Sequence, residues 1–181
     1  MARTAARLFD EYLVASARAG DRKAFDQLAR RWQKKLVAHA WRLTGDIEGA
    51  RDAAQAGWIE IVRGLGSLQD ERAFPAWAYR IVSRVCARQI GSAQRRRQLA
   101  VVLVSEPDAD VADVGERLDA GRLRTAIGEL PPEQRSAIAL FHFEEMSVAE
   151  VAVALNVPAG TVKTRLMHAR RKLRAALEGE E

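Results

Sequence analysis

Apolar residues recur at steps of three and four along most of this chain, and no stretch before residue 100 needs the strict alternation of a half-buried strand. The pattern predicts an all-α protein. Leu8, Phe9, Tyr12 and Leu13 suggest a short first helix. Gly20-Asp21 breaks it and caps a long second helix whose inner face holds Phe25, Leu28, Trp32, Leu36, Ala40 and Leu43. Thr44-Gly45-Asp46 ends that helix and starts another over 47–63, with Ala50, Ala54, Trp58 and Ile61 inward. The polar, glycine-bearing stretch 64–72 reads as a loop, and a further helix follows over 74–90 with Pro75 in its first turn and Trp77, Ile81 and Val85 inward. The helical period returns after residue 118 with Leu123, Ile127 and Leu130, and Pro131-Pro132 then opens a helix carrying Ile138, Phe141 and Phe143.

The most fully specified stretch is 147–174, where caps, period and charge agree on a helix-turn-helix. Ser147 and Glu150 form the S-x-x-E capping box, and Val148, Val151, Ala152 and Leu155 give the first helix one apolar face. Asn156-Val157-Pro158-Ala159-Gly160 interrupts it, and Pro158 is expected both to end the first helix and, by its fixed φ, to help start the second. There Val162, Leu166, Ala169 and Leu173 make a buried stripe, while Thr164, His168 and Arg171 fall opposite. Residues 163–174 carry six cations and no anion, Lys163 and Arg165 among them, which is a phosphate-facing composition. Small Gly160 and Thr161 leave the N-terminus of this helix free to approach a major groove. A basic amphipathic helix alone would equally suit a solvated or membrane surface, but neither needs a capped partner helix immediately upstream.

Composition changes this picture in two respects. The 181 residues are 48% hydrophobic with five prolines and twelve glycines, enough for real cores, and the formal charge of +5 is strongly segregated along the chain. Between residues 101 and 119 six acids oppose the single Arg117, around Pro107. The expected organisation is therefore a helical bundle over 1–98, a flexible acidic linker over 99–117 and a helix-turn-helix domain over 118–181. The linker begins with the apolar segment 101–104, which reads as a docking segment rather than a strand. The single Cys86 excludes an internal disulfide and reads as a buried, inert thiol. Residues 1–12 lack the apolar core of a signal peptide and no run approaches a membrane span, so a cytoplasmic protein without membrane insertion is expected.

Candidate chemistry is that of nucleic-acid binding rather than catalysis. Arg80, Arg84 and Arg88 stand four apart as one cationic stripe beside Trp77 and Tyr79, and Arg95-Arg96-Arg97 extends it. Rings among arginines suit unpaired bases and their backbone, although the same rings also fit a plain core above a solvated arginine face. His39, His142 and His168 lie far apart, no glycine-rich phosphate loop exists and Cys86 has no neighbouring base, so no enzyme constellation, cofactor site or metal site is expected. His142 between Phe141 and Phe143 reads as structural. A conventional repressor or activator would use the same helix-turn-helix but would need a dimerisation or ligand domain in place of a second basic helical one.

At these residues the chain resembles the extracytoplasmic-function sigma factors of the bacterial sigma-70 family. LPPEQRSAIALFHFEEMSVAEVAVALNVPAGTVKTRLMHARRKLRAAL is similar to the family's domain four, and residues 25–43, Gly45-Asp46, 52–62 and FPAWAYRIVSRVCARQI to its domain two. The spacing leaves no room for a domain three. The resemblance implies a factor that binds core RNA polymerase, reads the -10 and -35 promoter elements, helps to open the duplex and is restrained by an anti-sigma factor. It implies that Pro158, Gly160, Thr161, Lys163, Thr164, Arg165, His168 and Arg171 meet the -35 element. It implies that the loop from Gln69 and Asp70 to Phe74 receives a flipped -10 base beside Trp77, and that Arg80, Arg84 and Arg88 hold the strand. Asp52, Gln55, Ile59 and Val62 would meet the polymerase clamp. Two positions depart from the family's pattern: Asp52 and Gln55 are followed by Ala56 and Gly57 where Glu and a helix former are usual, and Arg84 stands where Asn is common.

Overall fold

A computed structural model of the chain describes residues 5–99 and 116–178. They form α1 (Ala5–Arg18), α2 (Arg22–Thr44), α3 (Ile47–Gly64), α4 (Phe74–Leu99), α5 (Glu116–Gly128), α6 (Pro132–Ile138), α7 (Val148–Leu155) and α8 (Ala159–Glu178). No strand occurs among the described residues. The predicted punctuation is the observed one. Asp21 caps α2 by accepting from the amides of Lys23 and Ala24, Gly45 closes it with φ 76°, and Asp46 caps α3 through the amides of Glu48 and Gly49.

Differences from the expected pattern are local. The loop before α4 contains two 3-10 turns, Leu65–Ser67 and Glu71–Ala73, the second capped by Asp70. Helix α4 continues to Leu99 instead of ending near residue 90, and α5 begins at Glu116. Beyond α6 the chain widens into a π turn, Ala139–Phe143, which rotates Phe143 out of the core to 42% exposure. The acidic segment and its apolar start at 101–104 fall largely outside the described residues.

Helices α1 to α4 surround Leu13, Leu28, Trp32, Leu36, Ile61, Phe74 and Val82, all at most 3% exposed. Helices α5 to α8 surround Leu130, Ile138, Leu140, Val151, Val162 and Leu166, buried to the same degree. The two sets do not stand apart: α4 packs on α7, α2 meets α6, and the buried apolar residues of both form one continuous cluster.

A polar clasp accompanies this contact. Glu144, its side chain only 8% exposed, accepts hydrogen bonds from Tyr79 Oη on α4 and from Arg42 Nη1 on α2, the latter at 2.7 Å. Arg42 also lies over the Phe143 ring at 4.5 Å. Burial first, and then the Glu144 charge, push the Tyr79 hydroxyl above its ordinary pKa, so it stays a donor. Arg7 on α1 pairs at 3.1 Å with Glu150, the same residue that completes the α7 capping box.

Candidate nucleic-acid and polymerase surfaces

Local chemistry builds the helix-turn-helix. Ser147 Oγ accepts from the Glu150 amide while the Glu150 carboxylate accepts from the Ser147 amide, satisfying two donors at the start of α7. Helix α7 ends at Asn156, whose φ of 54° places it in the left-handed region that asparagine tolerates. Pro158 is therefore not the terminator; it stands just before α8, and its carbonyl accepts from the Val162 amide. Val162, Leu166 and Ala169 are buried as predicted and Leu173 is half-buried.

The opposite face of α8 is the predicted strip. Pro158, Gly160, Lys163, Thr164 and Arg171 are exposed, and Thr161 and His168 half-buried. Thr164 Oγ1 donates to the Gly160 carbonyl at 3.1 Å, and Arg171 Nη2 lies 3.4 Å from His168 Nδ1. A Cβ built on Gly160 meets nothing within 4 Å, so the fold itself does not demand that glycine. Arg165 is the exception. It is half-buried and lines a cleft of about 410 Å³ with Arg80 and Arg84 of α4, so part of the second domain's basic face is turned toward the first domain.

In the first domain Arg80, Arg84 and Arg88 are exposed along α4 as their spacing requires. Two of them share an unpredicted partner: Glu60 of α3 accepts from Arg88 Nη2 at 2.5 Å and from Arg84. The Arg88 hydrogen bond foremost, with those of Arg84, holds the Glu60 carboxyl below its usual range. No periodicity within one helix could have revealed this, because Glu60 lies on a different helix.

The aromatic part of the stripe requires correction. Phe74 is fully buried with its ring edge-on to Trp32 at 5.1 Å, so it supports the loop from below and offers no surface to a base. Tyr79 is 3% exposed and belongs to the Glu144 clasp. Trp77 is half-buried against Phe74, at a ring separation of 6.1 Å. Gln69 and Asp70 remain exposed, but Asp70 accepts from the Arg72 amide and so shapes the turn.

On α3, Asp52, Gln55, Ile59 and Val62 are all exposed on one helical face, with Ile59 at 49% and Val62 at 56%. Two aliphatic side chains thus stand in water beside two polar ones on this face. Other groups behave as chemistry predicts. Burial pushes the Cys86 thiol up to about 12, which removes it as a nucleophile. His142 is exposed rather than enclosed, with Nε2 3.4 Å from Arg170 Nε. The buried histidine is His39, whose Nε2 lies 2.8 Å from Ser83 Oγ.

A helix-turn-helix with a largely exposed basic face is joined here to a helical domain bearing an arginine stripe and two exposed aliphatic side chains. Residues 28–96 match the family described as Sigma-70 region 2, and residues 120–173 match Sigma-70, region 4. The chain belongs to the sigma-70 family of RNA polymerase sigma factors. It is 34% identical to the ECF RNA polymerase sigma factor SigM of Mycobacterium tuberculosis, over 91% of this chain and 82% of that one. It is 30% identical to the RNA polymerase sigma-H factor of Pseudomonas aeruginosa, over 93% and 94% of the two chains.

Solved sigma-factor structures share the fold. The sigma factor RpoE of Bartonella quintana, in complex with the anti-sigma factor NepR, superposes with a TM-score of 0.74 at 25% identity, covering 88% of this chain and 99% of that one. CnrH, in complex with the cytosolic domain of CnrY, gives 0.71 at 25% identity over 96% and 99%. A sigma factor works with core RNA polymerase at promoter DNA. No described helix is long and apolar enough to cross a membrane.

Proposed function

We propose that the two domains divide promoter recognition between them, with boundaries near 1–98 and 118–181. Helix α8 reads the -35 element through Thr164 and His168, and Lys163, Arg165 and Arg171 bind phosphate around them. Pro158, Gly160 and Thr161 give the helix close access to the groove. The loop carrying Gln69 and Asp70, with Trp77, Arg80, Arg84 and Arg88, takes the -10 strand as it separates. Asp52, Gln55, Ile59 and Val62 dock on core polymerase. The observation that carries this reading is the presence of a basic face on each of two domains, exposed except where Arg165 turns into the cleft between them, with an exposed apolar pair, Ile59 and Val62, on a third surface.

The packed arrangement is not the one that reads a promoter. Elements centred about 25 base pairs apart are separated by about 85 Å of duplex, at about 3.4 Å per base pair. Here Arg80 and Arg84 share a single cleft with Arg165. Both faces can engage together only after α7 leaves α4 and the Glu144 clasp opens. The likeness to RpoE bound by the anti-sigma factor NepR spans both domains, which supports an anti-sigma partner that prefers the packed form. The test is co-purification with core RNA polymerase followed by transcription from a genomic library. A stable complex giving transcripts that share two elements supports the reading; absence of both complex and transcript contradicts it.

A further inference from the structure

A second hollow at the domain interface belongs to none of these surfaces. Its volume is about 460 Å³. Small-molecule sites span roughly 300–1,000 Å³ and lie by preference where domains meet. Trp41 of α2 and Leu123, Ile127 and Phe143 of the second domain provide apolar walls. Arg42, Arg124 and Arg135 also line it, and no carboxylate does.

The three arginines are not equivalent. Arg42 is committed to Glu144 and Phe143. Arg124 lies over the Trp41 ring at 5.2 Å. Arg135 donates from Nη1 to the Gly128 carbonyl at 3.1 Å, but its Nε is buried and has no hydrogen-bond partner among the described residues. Burial holds this guanidinium below its ordinary pKa. That Nε is closed off from the hollow, so an anion there would meet the outer guanidinium nitrogens, where it would offset the hydration this half-buried cation has lost.

We infer that this hollow binds a small molecule with an apolar body and one carboxylate or phosphate, the anionic group meeting Arg135 and Arg124 and the body lying against Trp41, Leu123 and Ile127. A guanidinium takes such a group through paired, charge-assisted hydrogen bonds. A cationic ligand would instead add to three like charges around one cavity. Because the walls come from both domains, separation of the domains dismantles the site. The ligand therefore stabilises the packed form, and by linkage it and promoter DNA must weaken one another by the same factor.

Two probes distinguish the kinds of apolar body: 2-naphthoate, an aryl carboxylate, and laurate, an acyl one. Each is titrated into the full-length protein without polymerase or DNA, followed by calorimetry and by the NMR signals of Arg135 Nε–H and Trp41 Nε1–H. At least one binds with unit stoichiometry and shifts both signals, while 2-naphthylmethylamine, which carries the opposite charge, does not. Arg135→Gln weakens the bound probe at least about tenfold, as loss of a charged hydrogen bond requires. Leu123→Ser, at a residue already 36% exposed, weakens it too without disturbing the fold. Saturating probe lowers affinity for duplex promoter DNA by a factor within the roughly 5–150 of ordinary coupling. The inference is overturned if neither probe shifts the two signals, if the amine binds equally well, or if affinity is unchanged in Leu123→Ser.

Discussion

Gly57 sits on α3 where an added Cβ would come within 2.8 Å of Val82 Cγ2 on α4. A glycine in mid-helix costs about 1 kcal/mol relative to alanine, yet here it lets two helices approach closely. Gly57→Ala should therefore destabilise the first domain by about 1–3 kcal/mol, as overpacking does, when read by chemical denaturation. Greater stability would show that Val82 yields freely. His39 makes the second residue-scale prediction. Burial first, then the Arg42 charge, lower its pKa from 6.5 to about 3. Above pH 6.5 folded and unfolded forms are both neutral; below it the unfolded chain takes up a proton that the folded one refuses, so stability falls as pH falls. The loss between pH 7 and pH 5 is about 2 kcal/mol from this residue alone. In His39→Gln that part of the pH dependence disappears, and an unchanged slope would mean that other groups set it.

At the scale of elements, what was legible in the sequence was what is local. The capping box of α7, the Asp21 and Asp46 caps and the buried stripe of α8 each depend on residues within a few positions of one another, so their chemistry is written in short range. The Glu144 clasp was not legible, because Glu144 lies 65 positions from Tyr79 and 102 from Arg42. Phe74 was misread for a related reason: an aromatic at a loop boundary looks the same in sequence whether it faces a base or Trp32. Two predictions belong here. Glu144→Gln replaces charged hydrogen bonds worth roughly 1.5–3 kcal/mol with weaker ones, so the packed form should loosen, with a larger radius of gyration in solution scattering and tighter duplex binding by the free protein. Unchanged scattering and unchanged DNA affinity would show that apolar packing of α4 on α7 suffices. On α8, Lys163→Ala should flatten the salt dependence of duplex binding by about one counterion, while Thr164→Ala should change the preferred -35 sequence by roughly 1–3 kcal/mol per lost base contact with little change in salt slope. Equal effects of both on every sequence would remove α8 from base recognition.

For the whole molecule, the fold class and the presence of two helical domains followed from periodicity, and their packing into one continuous cluster did not. An acidic spacer between two basic units suggested separation in sequence; buried apolar contacts between α4 and α7 decided the outcome in the free chain. On the proposed reading the same contacts are the ones that must break, since Arg84 and Arg165 line one cleft in the packed form and would have to part for each to meet DNA. The central claim is that the first domain opens the duplex while the second positions it. Its most direct measurement is the rate of open-complex formation by core polymerase with wild-type chain and with Arg84→Ala, on a fully paired promoter and on one whose -10 region is already unpaired. The account predicts slow opening by Arg84→Ala on the paired template, near wild-type initial binding, and recovery on the unpaired one. An equal defect on both templates would contradict it and assign Arg84 to polymerase contact or to its pairing with Glu60.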